Sequence, residues 1–127
     1  MKKWFVLSFV LMALVFAAGC DDNFTANAYK ALGTAATAYD TSMKVAADLY
    51  KQDLISDEEK AAIIEFGTAY RQAHRTAVNA LAAYEKTRQA GDREKARVAL
   101  AEYSKIFDEL MAYLRPLLMR QEMMMRR

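Results

Sequence analysis

The chain has 127 residues, of which 54% are hydrophobic, and its 18 basic and 16 acidic residues give a net charge of +2 at neutral pH. This length suits one domain with a modest core and is too short for two. So small a net charge gives no reason to expect a nucleic-acid partner. Cys20 is the one cysteine, which excludes a disulfide within the chain, so packing must hold the fold together.

The first twenty residues have the layout of a secretory signal peptide. Lys2 and Lys3 form a charged start, residues 4–16 are apolar apart from Ser8, and the small residues 17–19 stand before Cys20. Such an order of charged, apolar and small residues is typical of exported proteins, and the run is shorter than the roughly 20 residues of a membrane span. We therefore expect residues 1–19 to be removed, which leaves 108 residues with 16 acids and 16 bases.

The sequence Ala-Ala-Gly-Cys at residues 17–20 resembles the lipobox of bacterial lipoproteins. The one departure is Ala17, where that class usually has leucine. The resemblance implies that Cys20 carries fatty acids such as palmitate, begins the mature chain and anchors it in a membrane. It covers residues 1–20 only, and it implies nothing about the fold that follows.

Two aspartates, Asp21 and Asp22, come directly after this cysteine. They resemble the signal that retains lipoproteins in the inner membrane of enteric bacteria. We therefore expect a lipid-anchored protein on the periplasmic side of the inner membrane. Residues 20–24 would form the lipidated anchor and a short tether.

The first two segments after the tether have the apolar period of amphipathic helices. Small or apolar residues recur in steps of three and four over 25–51, and again over 57–90, which indicates one buried helical face in each. Ser56 and Glu59 have the spacing of a capping box, in which each side chain binds the other residue's backbone N–H. The sequence therefore predicts a helix start at residue 57.

The third helix is predicted over 92–118. Gly91 can adopt the left-handed conformation that ends a helix, and Asp92 can cap the next one. Pro116 lies inside the apolar pattern, where it removes a backbone donor and clashes with the preceding turn. We therefore expect a kink one turn before Pro116 or an early end, followed by a frayed tail over 121–127.

Connections this short force neighbouring helices to be antiparallel, and no segment has the strict alternation of a strand. The predicted fold class is therefore all-α. It is an antiparallel up-down-up three-helix bundle over 25–120 with coiled-coil-like packing, preceded by a signal-peptide helix.

The aromatic residues and the single histidine, His74, are the first candidates for chemistry. If the second and third helices fold back about Gly91, His74 lies opposite Asp108 and Glu109, and Tyr70 lies opposite Tyr113. A lone histidine provides too few ligands for a zinc site, so we interpret His74 as structural. The tyrosines are interpreted as core packing; a tyrosine-lined groove for a ligand is the alternative. The seven tyrosines are Tyr29, Tyr39, Tyr50, Tyr70, Tyr84, Tyr103 and Tyr113.

Other motifs that carry catalysis or metal binding are weak or missing from the sequence. Met119 and Met123 have helical spacing but no histidine beside them, so an adaptable apolar tail that touches lipid or a partner is preferred to a copper site. Adjacent carboxylates such as Glu58 and Glu59 diverge by about 100° on a helix and form no catalytic dyad. We therefore expect no enzyme activity, no metal and no cofactor.

Charge is divided unevenly between the two halves of the mature chain. Nine acids and four bases lie in 21–65, whereas seven acids and twelve bases lie in 66–127. The halves can attract each other within the bundle or attract a charged partner. We interpret the arginines of the basic half as a possible binding surface that faces anionic headgroups: Arg71, Arg75, Arg88, Arg93 and Arg97.

The function expected from these features is a lipid-anchored, non-enzymatic binding or scaffolding module of the bacterial cell envelope. Its partners would be the membrane, through Cys20, and an unknown envelope protein; the domain would be a monomer or weak oligomer. Two alternatives stay open. One is a helical bundle that binds a small ligand or metal, and the other is a phage-derived lipoprotein that disrupts the envelope or excludes other phages.

Overall fold

The computed structural model describes residues 23–126 and contains three helices in that range. They are α1 (Phe24–Lys51), α2 (Asp57–Thr87) and α3 (Ala90–Met125), and the described residues contain no strand. The predicted all-α three-helix bundle is confirmed. None of the three helices combines the length and the apolar character that crossing a membrane requires. The predicted signal peptide and Cys20 lie outside the described residues.

Contacts between side chains fix the direction of each helix. Tyr39 and Phe24 of α1 meet Tyr70 and Tyr84 of α2, respectively, so residues later in α1 meet residues earlier in α2 and the pair is antiparallel. Phe24 meets Arg93 of α3, and Ser42 meets Met111, again 69 residues further on. A constant separation means that α1 and α3 are parallel. The order is therefore up, down, up.

This topology defines two ends of the bundle. The proximal end contains the start of α1, which follows Cys20 in the sequence, and the α2–α3 connection. The distal end contains the α1–α2 connection and the last turns of α3. Helix α1, at 28 residues, spans about 42 Å between these ends at 1.5 Å per residue.

The core is one apolar cluster to which all three helices contribute. Helices α2 and α3 form the closest pair, and α1 packs across both. Alanines line much of the buried face of α1, which brings its backbone close to the other helices. Leucines on α3 fill the larger space between the helices. The residues with the least exposure, at 0%, are Ala35, Leu49, Ala77, Leu81, Ala96, Leu110 and Leu114.

The predicted start of α2 is confirmed in atomic detail. The Ser56 hydroxyl accepts a hydrogen bond from the Glu59 backbone N–H at 3.1 Å, and the Glu59 carboxylate accepts one from the Ser56 N–H at 2.9 Å. This capping box satisfies two donors that the first turn leaves free. The helix therefore begins at Asp57, as the sequence predicts.

The predicted connection between α2 and α3 is wrong by about one turn. Arg88, with φ of 54°, is the left-handed residue that ends α2, whereas Gly91 lies inside α3 with an ordinary φ. Asp92 caps no helix, and its carboxylate instead accepts a hydrogen bond from the Thr87 hydroxyl. Glycine has the lower intrinsic cost in this conformation, but here the favourable packing of two long helices decides where the turn falls.

Pro116 does not end α3, which continues to Met125 through the region predicted to fray. Pro116 itself is exposed, while Leu114 and Leu117 on either side of it are 0% and 3% exposed. Burial of these leucines on both sides of the proline opposes the roughly 3 kcal/mol that a proline costs inside a helix. Tertiary packing therefore overrides the local signal.

Candidate functional site

Three tyrosines, one from each helix, form the centre of the bundle. The rings of Tyr39 and Tyr70 stack with centroids 4.2 Å apart, and the hydroxyls of Tyr70 and Tyr103 share a hydrogen bond of 2.8 Å. The Arg71 guanidinium donates to the Tyr39 hydroxyl at 3.1 Å. We call Tyr39, Tyr70 and Tyr103 the tyrosine layer; the Tyr70 ring contacts the other two rings directly, which is the geometry of packing.

Burial changes the acidity of two of these tyrosines. It raises the pKa of Tyr103, and the hydrogen bond from Tyr70 raises that pKa further. Burial also raises the pKa of Tyr70, although the hydrogen bond to Tyr103 opposes this rise. Both phenols are therefore held neutral at neutral pH, and neither is prepared to act as a base.

The register between α2 and α3 differs from the one expected from a fold about Gly91. The connection is centred between Arg88 and Gln89, about three residues earlier. Moving the centre by one residue moves each opposed position by two. The His74 ring accordingly lies 5.7 Å from the Tyr103 ring, and Tyr103 precedes the predicted Asp108 and Glu109 by about one and a half turns of α3.

The same shift decides the aromatic pairs. Tyr70 packs against Tyr103 and Phe107, and Tyr113 packs against Phe66, so the predicted Tyr70–Tyr113 pair is wrong. His74 belongs to this aromatic cluster, and its Nδ1 has no hydrogen-bond partner within residues 23–126. These contacts support the structural interpretation of His74.

Four side chains form a series at the proximal end, in which two aromatic rings lie between two cations. The Arg88 guanidinium lies 5.6 Å from the centre of the Tyr84 ring, and Tyr84 meets Phe24 edge to face at 5.8 Å. The Arg93 guanidinium lies 5.4 Å from the Phe24 ring. We call Arg88, Tyr84, Phe24 and Arg93 the arginine–aromatic ladder. It joins all three helices beside the first described turn.

The five arginines of the predicted binding surface are not all at this end. Arg88 and Arg93 belong to the ladder, and Arg97 lies two turns into α3, where it pairs with Glu94 at 3.5 Å. Arg71 and Arg75 lie 16 and 12 residues before the end of α2, or roughly 24 and 18 Å along its axis. The structure therefore divides the predicted surface into a proximal group and two arginines near the middle.

The two aromatic residues of the ladder, Tyr84 and Phe24, were not among the predicted residues of the binding surface. Tyr84 precedes Arg88 by four residues, a spacing that places two side chains together on a helix. The contact between Tyr84 and Arg88 could therefore have been predicted from the sequence. Phe24 is the last residue of the segment 20–24, which was predicted to form the anchor and the tether. Its exposure is 1%, which makes it a core residue and moves the start of the fold one residue closer to Cys20.

At the distal end the arginine contacts are different in kind. Arg120 donates to the Leu54 carbonyl and to the Glu59 carboxylate, each at 3.1 Å. The hydrogen bond from Arg120, followed by that from the Ser56 backbone, lowers the pKa of Glu59. Arg120 thus ties the end of α3 to the α1–α2 connection and to the start of α2.

Beyond Arg120, α3 extends past the other two helices for about one and a half turns. Met123, Met124 and Met125 in this extension are 62%, 52% and 80% exposed. The apolar tail expected from the sequence is therefore helical, and it projects from the end opposite the ladder. Its position separates it from the start of α1 by the full length of the bundle.

Within the described part of the chain, no group of three or more histidine, cysteine or acidic side chains comes close enough to hold a metal ion. Comparison of the chain with protein-family models, with curated proteins and with solved structures finds no match. The ladder, next to the expected lipid anchor, is the site on which a function can be argued.

Proposed function

We propose that this protein is a lipid-anchored, non-enzymatic helical module of the bacterial cell envelope. It is attached through Cys20 to the periplasmic side of the inner membrane and acts by binding or scaffolding an envelope protein. The observation that carries the proposal is the burial of Phe24, which is 1% exposed and lies only four residues after Cys20. The folded domain begins almost at the point where the lipid would be attached.

A module that scaffolds a partner needs a rigid body more than it needs a reactive centre. The polar groups inside this bundle support that role, because Tyr70 and Tyr103 bind each other and Arg71 binds Tyr39. Each contact joins two helices. These hydrogen bonds therefore hold the three helices in register.

Lipidation is tested with Cys20→Ala in the full-length protein. We expect this variant to lose fatty-acid labelling and to migrate as the uncleaved precursor. Asn23→Ala, three residues away, is the matched control and keeps the label because it leaves the cysteine intact. Undiminished labelling of Cys20→Ala would refute the proposal.

The choice of membrane depends on the two aspartates and is tested separately. We expect the wild-type protein to sediment with inner-membrane vesicles on a sucrose gradient in an enteric host. Replacing Asp21 and Asp22 by serine should move it to the outer-membrane fraction. Wild-type protein in the outer-membrane fraction would contradict the inner-membrane assignment while leaving lipidation in place.

A further inference from the structure

Methionine side chains occupy two contrasting environments on α3. Met123, Met124 and Met125, which we call the exposed methionines, are 62%, 52% and 80% exposed on the extension of this helix. None of them belongs to the apolar core of residues 23–126 or to the half-buried residues that pack on it. Met111 lies about three turns earlier in the same helix. It is 8% exposed and is part of the core.

The sulfur of Met111 also has a partner inside the bundle. The Ser42 hydroxyl of α1 donates a hydrogen bond to Met111 Sδ at 3.9 Å, and Ser42 itself is 1% exposed. An oxidant can reach this sulfur only when the helices separate locally, and such an opening costs free energy. The exposed methionines meet solvent in the folded state, so an oxidant reaches them without any opening.

Oxidation of a methionine by a peroxide adds one oxygen atom to the thioether sulfur. With hydrogen peroxide, an S–O bond forms and the O–O bond breaks. The transferred oxygen gives its proton to the leaving oxygen, which departs as water, and the sulfur is oxidised by two electrons. The side chain becomes polar, which is costly in an apolar core without a hydrogen-bond partner but is accommodated by water at the surface.

We propose that the exposed methionines form an oxidation site, which reacts first with peroxides and thereby spares Met111. This inference goes beyond the proposed function and does not depend on a lipid at Cys20. Three adjacent methionines allow less than one turn of helix to take up three oxygen atoms. Because the extension has already left the other two helices, the bundle stays folded while its end changes from apolar to polar.

The first experiment follows each methionine of the full-length protein in an excess of hydrogen peroxide. Peptide mass spectrometry with fragmentation measures the rate of oxygen addition at each sulfur. We expect the exposed methionines to react at least about tenfold faster than Met111, because Met111 reacts only in locally opened molecules. In urea that unfolds the chain, the rates should become nearly equal.

Chemical denaturation of the same samples measures what the oxidation does to the fold. Protein that is oxidised only at the exposed methionines should unfold at the same denaturant concentration as the unoxidised protein. Oxidation that reaches Met111 should lower this concentration, because a polar oxygen then lies in the core.

A second experiment tests whether the site spares the core. Leucine at all three positions, Met123→Leu, Met124→Leu and Met125→Leu, keeps the extension apolar and helical but removes its sulfurs. The peroxide is limited to one molecule for each exposed methionine of the wild-type protein. Oxidation of Met111 should then rise severalfold in the leucine variant. Met43→Leu, which removes a half-buried sulfur on α1, is the control and should leave Met111 near its wild-type level.

Three results would overturn the proposal. One is equal oxidation rates for Met111 and the exposed methionines in the folded protein. Another is a lower denaturation midpoint for protein oxidised only at the exposed methionines, because the fold would then depend on those side chains. The third is unchanged oxidation of Met111 in the leucine variant under limiting peroxide, which would show that the extension does not protect the core.

Discussion

The two ends of the bundle use arginine in opposite ways. At the proximal end, Arg88 and Arg93 lie against the rings of Tyr84 and Phe24. At the distal end, Arg120 directs its donors to the Leu54 carbonyl and the Glu59 carboxylate. The proximal contacts place a charge against an aromatic ring, whereas the distal contacts are hydrogen bonds to oxygens of the α1–α2 connection and of the first turn of α2. The proximal arginines therefore pack against rings of the core, and the distal arginine stabilises a connection between helices.

The largest expected effect concerns the core that both ends share. Leu110 is 0% exposed in α3, and Leu110→Ala should lower the free energy of unfolding by about 2–5 kcal/mol, because it removes buried surface and leaves a cavity. Chemical denaturation measures the loss. Ile64→Ala, at a position 53% exposed, is the control and should change it by less than about 0.5 kcal/mol. A similarly small loss for Leu110→Ala would mean that the α3 stripe is not buried.

The next effect should be confined to one end. Phe24→Ala removes one of the two rings of the ladder, and we expect the free energy of unfolding to fall by about 2 kcal/mol. This is less than the roughly 3–5 kcal/mol of a phenylalanine in the middle of a core, because the first turn of α1 can fray locally. Hydrogen exchange should show faster exchange at the start of α1 and no change around Ser56. Uniform loss of protection at both ends would show that they are not independent. Met124→Ala is the distal control.

The tyrosine layer lies between the ends and is tested by a double-mutant cycle. Tyr103→Phe leaves the buried Tyr70 hydroxyl without its partner, and Tyr70→Phe leaves the Tyr103 hydroxyl without its partner. Each single substitution should therefore lower the free energy of unfolding by about 1–2 kcal/mol. Replacing both should recover most of that loss, since no hydroxyl is then left alone. Additive losses in thermal or chemical unfolding would show that the 2.8 Å hydrogen bond contributes little.

The same layer predicts a loss of stability in alkali. The pKa values of Tyr70 and Tyr103 are raised above 10.0 by burial, so the unfolded chain releases these protons at a lower pH than the folded one. Stability is complete below about pH 10 and falls as the pH rises above it. The variant with phenylalanine at both positions should lose less stability between pH 9 and pH 11, and an unchanged pH dependence would contradict the assignment.

The smallest effect is expected at the distal contact. Arg120→Gln should lower the free energy of unfolding by less than about 1 kcal/mol, because both side chains of the Arg120–Glu59 pair are partly solvated and salt screens such pairs. The lowered pKa of Glu59 means that this contribution is present at neutral pH and is lost as the pH falls below about 4.5. If Arg120→Gln lowered the free energy of unfolding equally at pH 7 and at pH 3, the contribution of Arg120 would not come from charge. Lys105→Gln, an exposed charge on α3, is the control.

The sequence by itself determined the class of fold and the start of α2. Steps of three and four among the apolar residues predicted three helices, and the Ser56–Glu59 spacing predicted the start of α2 to the residue. Short connections then allowed only one topology. These signals succeed because each acts within a few residues, through side-chain periodicity or a local hydrogen bond.

Only the tertiary structure decided the register of α2 against α3 and the composition of the proximal end. A left-handed Arg88 in place of the expected Gly91 moves the connection, and with it the partners of His74, Tyr70 and Tyr113. Pro116 is accommodated for the same reason, because Leu114 and Leu117 are buried on either side of it. Local preferences of this kind differ by only about 1–3 kcal/mol. Packing along two helices of more than 30 residues each outweighs these preferences. The sequence does not show which residues of α2 and α3 face each other, so it does not reveal this packing.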